Sequence, residues 1–172
     1  MSCQIRKAVP DDAKGIAKAK IASWRAGYQH IVPDIHLKEL SVKSETNKLK
    51  FYITASQTSD TCFFVAEQDG QIIGFVTVGL MRDDDRFDAE IYAIYIDPDH
   101  FGRGVGTALF QQALDYMREK GWQNFALWVL RDNKNGIKFY KKMGMQHQAD
   151  ADKEIMIGCE NLMECLYTSD IS

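Results

Sequence analysis

The sequence predicts a mixed α/β (α+β) domain, and three observations carry that expectation. Strand-like runs rich in β-branched and aromatic residues alternate with amphipathic helical runs, in the order strand, helices, three strands, helix, strand, helix, strands. Asp69-Gly70 stands between two apolar runs, a hairpin signal because a tight primed turn needs positive φ at both central residues. A long amphipathic helix over 104–120 separates two strand-like runs, which implies one parallel crossover.

Taken in order, residues 3–9 read as a short strand, and Pro10-Asp11-Asp12 opens a helix. In that helix Ala13, Ile16, Ala17, Ile21 and Trp24 recur near helical spacing, and Gly27 ends it. Residues 33–55 contain one or two more helices. Residues 61–68 and 71–81 are the hairpin strands, and the acidic connection Asp83-Asp84-Asp85 leads to a third run, AEIYAIYI at 89–96. Asp97-Pro98 stops it, because proline cannot donate to a strand ladder. The long helix sets Val105, Leu109, Gln112, Ala113, Tyr116 and Met117 on one face, and Gly121 stands past its end. Residues 124–129 are β-like. Phe139, Tyr140 and Met143 share a face of a short helix over 135–143 with Gly136, and residues 154–167 supply one or two last strands. No repeat or linker-like stretch interrupts the pattern, so residues 1–172 are read as one domain.

Composition narrows the function classes. A chain of 172 residues, 45% hydrophobic, can build its own core without a metal or disulfide staple. Lys and Arg number 21 against 24 Asp and Glu, a net charge of −3, whereas a nucleic-acid binder normally carries a basic excess. The four cysteines, Cys3, Cys62, Cys159 and Cys165, form no C-x-x-C pair and have no His at metal-ligand spacing beside them. They are read as reduced, mostly buried thiols, with no metal. The first basic residues precede Asp11 and Asp12 rather than an apolar core, and the longest uncharged stretch, residues 70–81, is too short for the roughly 20 residues that span a bilayer. A cytoplasmic protein with no membrane or nucleic-acid partner is expected, and a homodimer is compatible with these features.

The sharpest local feature is FGRGVG at 101–106, between a strand and the first turn of the long helix. A helix start presents unpaired N–H groups and a partial positive charge, so it suits a phosphate, and glycines let backbone and ligand approach closely. Arg103 adds a cation. A loop that uses glycine only to turn is the alternative. The segment lacks the G-K-[ST] of a Walker loop and the G-x-G-x-x-G spacing of a dinucleotide fold.

Read together, AEIYAIYIDPDHFGRGVGTAL and RDNKNGIKFYKKMGM resemble the GNAT superfamily of N-acetyltransferases. The first segment is similar to that family's central strand, pyrophosphate loop and helix, the second to its Asn-x-x-small-x-x-x-Tyr element. In element order the resemblance covers about residues 6–167, and it implies a mostly antiparallel twisted sheet flanked by helices. It also implies acetyl-CoA as co-substrate. Backbone groups of Ile94, Tyr95 and Ile96 would pair with the pantetheine arm as with an added strand. Gly102, Arg103, Gly104, Val105, Gly106 and Thr107 would hold the pyrophosphate, and Asn133 would contact the cofactor. Phe101 departs from the family's usual Gln or Arg, which would weaken cofactor affinity. Gly136 departs from the usual Ala, at a cost to the short helix of up to about 1 kcal/mol.

The resemblance implies acetyl transfer from acetyl-CoA to a primary amine by direct attack, with a small molecule as the acceptor. A protein N-terminus or lysine as acceptor, and a CoA-binding sensor without turnover, are the alternatives. An ammonium near pKa 10.4 must lose a proton before it attacks, so a base is required. Glu90, inside an apolar run where burial would raise its pKa, matches the family's catalytic glutamate; opening a strand at a solvent edge is its other reading. Tyr140 is the general acid for the leaving thiolate, because a phenol near pKa 10 donates to a thiolate near 8.5 only slightly uphill; a core aromatic is its other reading. Trp24, Tyr28 and His30 fall where the family lines its acceptor pocket, although His30 also reads as a surface residue. Asp83, Asp84, Asp85 and Asp88 read as a solvated hairpin tip or as an attractor for a cationic amine.

Overall fold

In the computed structural model, which describes residues 3–171, Asp69 and Gly70 both take positive φ, 52° and 74°. The expected primed turn therefore joins β2 (Cys62–Gln68) to β3 (Gln71–Leu80) in antiparallel register, from Cys62 opposite Val78 to Gln68 opposite Gln71. The chain enters through β1 (Gln4–Lys7), which pairs with β2 at the sheet edge. A 3-10 turn at Pro10–Asp12 then leads into α1 (Ala13–Gly27), followed by α2 (Asp34–Glu39) and α3 (Val42–Ser56). Ser41 caps α3 by accepting from the Ser44 amide, which separates the helices of the 33–55 stretch.

The third run forms β4 (Ala89–Ile96), antiparallel to β3. α4 (Val105–Lys120) carries the chain over to β5 (Asn124–Leu130), and this is the parallel crossover. α5 (Lys134–Lys142) and the hairpin of β6 (Gln146–Ile157) and β7 (Glu160–Asp170) complete the described chain. The sheet has seven strands in the order β1-β2-β3-β4-β5-β7-β6, mixed and mostly antiparallel, with helices on both faces. The last two strands are longer than the sequence indicates. Residues 146–153 are mostly polar and lie on the edge strand, where residues 146–148 and 153 pair with β7 and residues 149–152 form an irregularity between them.

Two apolar layers sandwich the sheet. α4 lays Val105, Leu109, Ala113 and Met117 against Val76, Val78, Ile91 and Phe125. On the other face Ile16 and Ala17 of α1 and Leu49 and Ile53 of α3 cover Phe63, Val65 and Phe75. Cys62 and Cys165 are buried, Cys3 is half-buried and Cys159 is exposed, and all four are free thiols.

Two irregularities in β4 set the geometry of its free edge. The ladder to β3 passes from Ile91 opposite Val78 to Ala93 opposite Thr77, so Tyr92 is the extra residue of a bulge. On its other side β4 pairs with β5 at only two rungs, Ala89 with Phe125 and Glu90 with Ala126. Beyond Glu90 the strands part, and the β5-facing edge of β4 runs free to Ile96.

Candidate active site

A cavity of about 260 Å³ lies where β4 and β5 part. Trp24 and Tyr28 at the end of α1 meet Glu90, Tyr92 and Tyr95 of β4 there, with Trp128 of β5 and Glu164 of β7 opposite. The bulge and the alternation of β4 set Glu90 and Tyr95 toward the α1 side, while Ile91 and Ile94 pack on the α4 side.

Glu90 is 1% exposed, so it does not open a strand at a solvent edge. Its surroundings also differ from the expected apolar ones, because Arg82, just past the end of β3, reaches back over it. Arg82 Nε donates to Oε2 at 3.0 Å and Nη2 to Oε1 at 2.5 Å. Fork-to-fork geometry gives each oxygen of the buried carboxylate a charged hydrogen-bond donor. The Arg82 guanidinium lies 4.4 Å over the Tyr92 ring, whose hydroxyl donates to the Leu80 carbonyl.

A second cation, Lys153 of β6, lies 3.8 Å over the Trp128 ring and 3.6 Å from Asp83. Glu164 makes no ion pair or hydrogen bond among the described residues, and burial pushes its carboxyl above the ordinary value. Trp24 and Trp128 contribute buried indole N–H groups that have no protein acceptor.

The sequence-predicted residues separate into three groups. Trp24, Tyr28, Glu90 and Tyr95 come together at the cavity. His30 does not: it is exposed, in a left-handed turn at φ 67° beyond α1, because the chain reverses there toward α2. Tyr140 lies beside the cavity rather than in its lining, on the face of α5 that packs against the α4 core, with its ring 5.5 Å from that of Phe139. Burial, reinforced by Tyr28, pushes the Tyr140 phenol up, so the sequence argument from an ordinary phenol understated how firmly it holds its proton. Burial pushes the Tyr28 and Tyr95 phenols up as well.

At the open end of β4, Gly102 and Gly104 take φ of 74° and 83°, a region costly for residues with a Cβ. Gly104 is the N-cap of α4 and supplies no side-chain cap, so the helix start keeps free amides. Gly106 sits in a close fit: a Cβ there would lie 3.3 Å from Ile96 Cδ1 and 3.4 Å from the Phe139 ring, so either side chain would have to give by a few tenths of an ångström. Arg103 and Thr107 are exposed, Val105 is buried under the helix, and Phe101 is 52% exposed. These residues fit a pyrophosphate.

Asn133 is the N-cap of α5, accepting from the Gly136 amide at 2.9 Å and donating to the Tyr28 hydroxyl at 3.4 Å. A Cβ on Gly136 would fall 2.7 Å from Asn133 Nδ2. Glycine here is therefore fitted to the cap, and the helix-propensity cost is only part of its account.

Sequence reasoning missed Arg82, Lys153, Trp128 and Glu164. Glu164 had a readable signal, a lone carboxylate between Leu162 and Leu166 on one face of an alternating strand. The acidic connection divides: Asp84 pairs with Arg86, Asp88 accepts from the Gln123 amide, and Asp83 reaches the cavity. His147, Asp152 and Cys165 place ligand-type atoms within 4.8 Å of one another, a proximity invisible in cysteine spacing. There Arg131 donates to Asp152 at 3.1 Å, so a cation already neutralises the carboxylate.

A split sheet with a free strand edge, a glycine-built helix start and a carboxylate-bearing cavity defines a coenzyme A-dependent acyltransferase fold. The sequence profile of the acetyltransferase (GNAT) family matches residues 24–145. The chain belongs to that family and is an acetyl-CoA-dependent N-acetyltransferase, transferring acetyl to an amine. It is 30% identical over 152 residues to the uncharacterized N-acetyltransferase YuaI of Bacillus subtilis, covering 88% of this chain and 84% of that one. It is 29% identical over 171 residues to a spermidine N(1)-acetyltransferase of Thermoplasma acidophilum, covering 98% and 100%. Among solved structures, the PaiA N-acetyltransferase of Thermoplasma acidophilum in complex with coenzyme A superposes with a TM-score of 0.77, at 26% identity and 95% and 98% coverage. No helix among the described residues is long and apolar enough to cross a membrane.

Proposed function

We propose that the protein acetylates a primary amine of a small molecule by direct attack, with Glu90 as general base and Tyr140 as general acid. The observation that carries this reading is the buried Glu90 carboxylate at the rung where β4 and β5 part, facing a cavity beside the free β4 edge. Acetyl-CoA, when bound, supplies an acyl carbon activated as a thioester. Backbone groups of Ile94, Tyr95 and Ile96 would hold its pantetheine arm, and amides from Gly102 to Thr107 with Arg103 its pyrophosphate. Asn133 has one amide hydrogen left over from its bond to Tyr28 and would offer it to the cofactor.

Arg82 engages one site on each Glu90 oxygen, and a carboxylate has about four acceptor sites, so Glu90 keeps lone pairs to accept the ammonium proton, directly or through a water. Tyr140 stays protonated throughout the working range and donates from its hydroxyl to the departing thiolate. The same dry surroundings raise a thiolate's proton affinity, which offsets the raised phenol. A cavity of about 260 Å³ fits a compact acceptor better than a folded protein surface, and the spermidine-acetylating relative favours a small amine.

An acceptor screen tests this. Small primary amines, an N-terminal peptide and a lysine peptide are presented with acetyl-CoA, and thiol release and product mass are followed. Small amines are expected to be acetylated fastest. Faster turnover of the peptides would overturn the small-molecule assignment.

A further inference from the structure

Five charged side chains line the cavity, and four are already matched: Arg82 with Glu90, Lys153 with Asp83. The fifth, Glu164, projects from β7 with no ion pair or hydrogen bond among the described residues. Its register partner on β6 is Lys153, but that ammonium turns away onto the Trp128 ring. Lys153 and Arg82 attract the Glu164 carboxylate only through space, and less than its burial costs it, so a half-buried carboxylate with no bonded partner remains for a cationic ligand to match.

The reacting amine cannot remain that partner. Its nitrogen must lose its charge to attack and ends as a neutral amide, while Glu164 is still present in the product complex. We propose that Glu164 binds a second, non-reacting ammonium of the acceptor, so that the preferred substrates are diamines or longer polyamines rather than monoamines. Glu90 then serves the nitrogen that reacts, and Glu164 holds the far end across the cavity. This rests on the acetyltransferase reading of the same site and adds to it the residue that selects the acceptor.

The test compares 1,4-diaminobutane with n-butylamine, using wild type, Glu164→Gln and Glu164→Asp. Wild type is expected to show a KM at least about tenfold lower for the diamine, the size of one charge-assisted hydrogen bond. Glu164→Gln should erase that gap and Glu164→Asp restore part of it, with acetyl-CoA affinity unchanged by calorimetry as the check on folding. Equal KM values in wild type, or a gap that survives in Glu164→Gln, would overturn the inference while leaving small-amine acetylation standing. If neither amine releases thiol, the small-amine reading falls, and calorimetry of 1,4-diaminobutane with the coenzyme A complex still decides. Diamine binding that is lost in Glu164→Gln supports the Glu164 assignment, and binding that is absent or indifferent to the substitution overturns it.

Discussion

Arg82 and Glu90 form a two-point ion pair at 3.0 and 2.5 Å in which the carboxylate is almost fully buried and the guanidinium half-exposed. Removing the arginine leaves a buried carboxylate with no matched cation. Arg82→Ala should destabilise the fold by about 1–3 kcal/mol, the desolvation penalty of an abandoned acceptor, and lower kcat more than it raises the KM for acetyl-CoA. Arg82→Lys should recover part of the stability but less of the rate, because an ammonium cannot reproduce the fork. Melting curves and steady-state kinetics on both variants check this; an unaltered Arg82→Ala enzyme would detach the pair from catalysis.

The cap of α5 predicts a sign reversal. Helix propensity alone makes Gly136→Ala stabilising by about 1 kcal/mol, yet a Cβ would press within 2.7 Å of the capping Asn133 amide. In wild type the loss of the cap, worth up to about 2 kcal/mol, should outweigh that gain and lower Tm by about 2–4 °C, the size of a net loss of about 1 kcal/mol. In an Asn133→Ala background, where the obstruction is gone, the same substitution should raise Tm. The four-member cycle by calorimetry reads the coupling directly.

Gly104 opens α4 at φ 83° with free amides ahead of it. Gly104→Asp places an anion where the pyrophosphate is proposed and should weaken coenzyme A binding at least about 100-fold, roughly 3 kcal/mol. Gly104→Ala, which adds only strain of about 1–2 kcal/mol, should weaken it less. Isothermal titration with coenzyme A separates the two, and equal affinity for both variants would move the phosphate site elsewhere.

At the far edge of the sheet, Arg6 donates to both Asp12 oxygens, at 2.7 and 2.8 Å, and to Glu67 at 2.7 Å. The Arg6 hydrogen bonds hold the Asp12 carboxyl below its ordinary value. The ionised form is thus favoured in the folded state, and its contribution is present above the unfolded pKa near 3.9 and lost as pH falls through the lower folded value. Wild type should lose stability across that acid window, and Asp12→Asn should be less stable at neutral pH with a flatter profile below pH 4. Urea midpoints at a series of pH values measure it.

Much of the scaffold is legible in the sequence because local signals and packing agree. AEIYAIYI forms β4 over the expected residues, and Asp69-Gly70 makes the primed turn that its chemistry demands. The edge strand β6 was harder to read, since its mostly polar residues 146–153 carry no apolar period and pair with β7 only at residues 146–148 and 153, on either side of a register shift. The site divides the same way. Glu90, Tyr140 and the glycine loop lie in contiguous motifs, whereas Arg82, Lys153 and Glu164 reach the cavity from separate loops and strands, and only the strand register brings them together. The two-rung pairing of β4 with β5, which opens the cavity, has no signature in residue spacing at all.

The most direct test is the single-turnover rate of thiol release at saturating acetyl-CoA and an accepted amine, in wild type, Glu90→Gln and Tyr140→Phe. General acid and base groups typically contribute 10²–10⁴-fold. Each variant should therefore lose about 100-fold or more in the chemical step while still binding coenzyme A with wild-type affinity, and the wild-type rate should rise with pH as the amine becomes easier to deprotonate. A wild-type rate in Glu90→Gln, or no acceleration of thiol release by any amine, would contradict catalysis at this cavity.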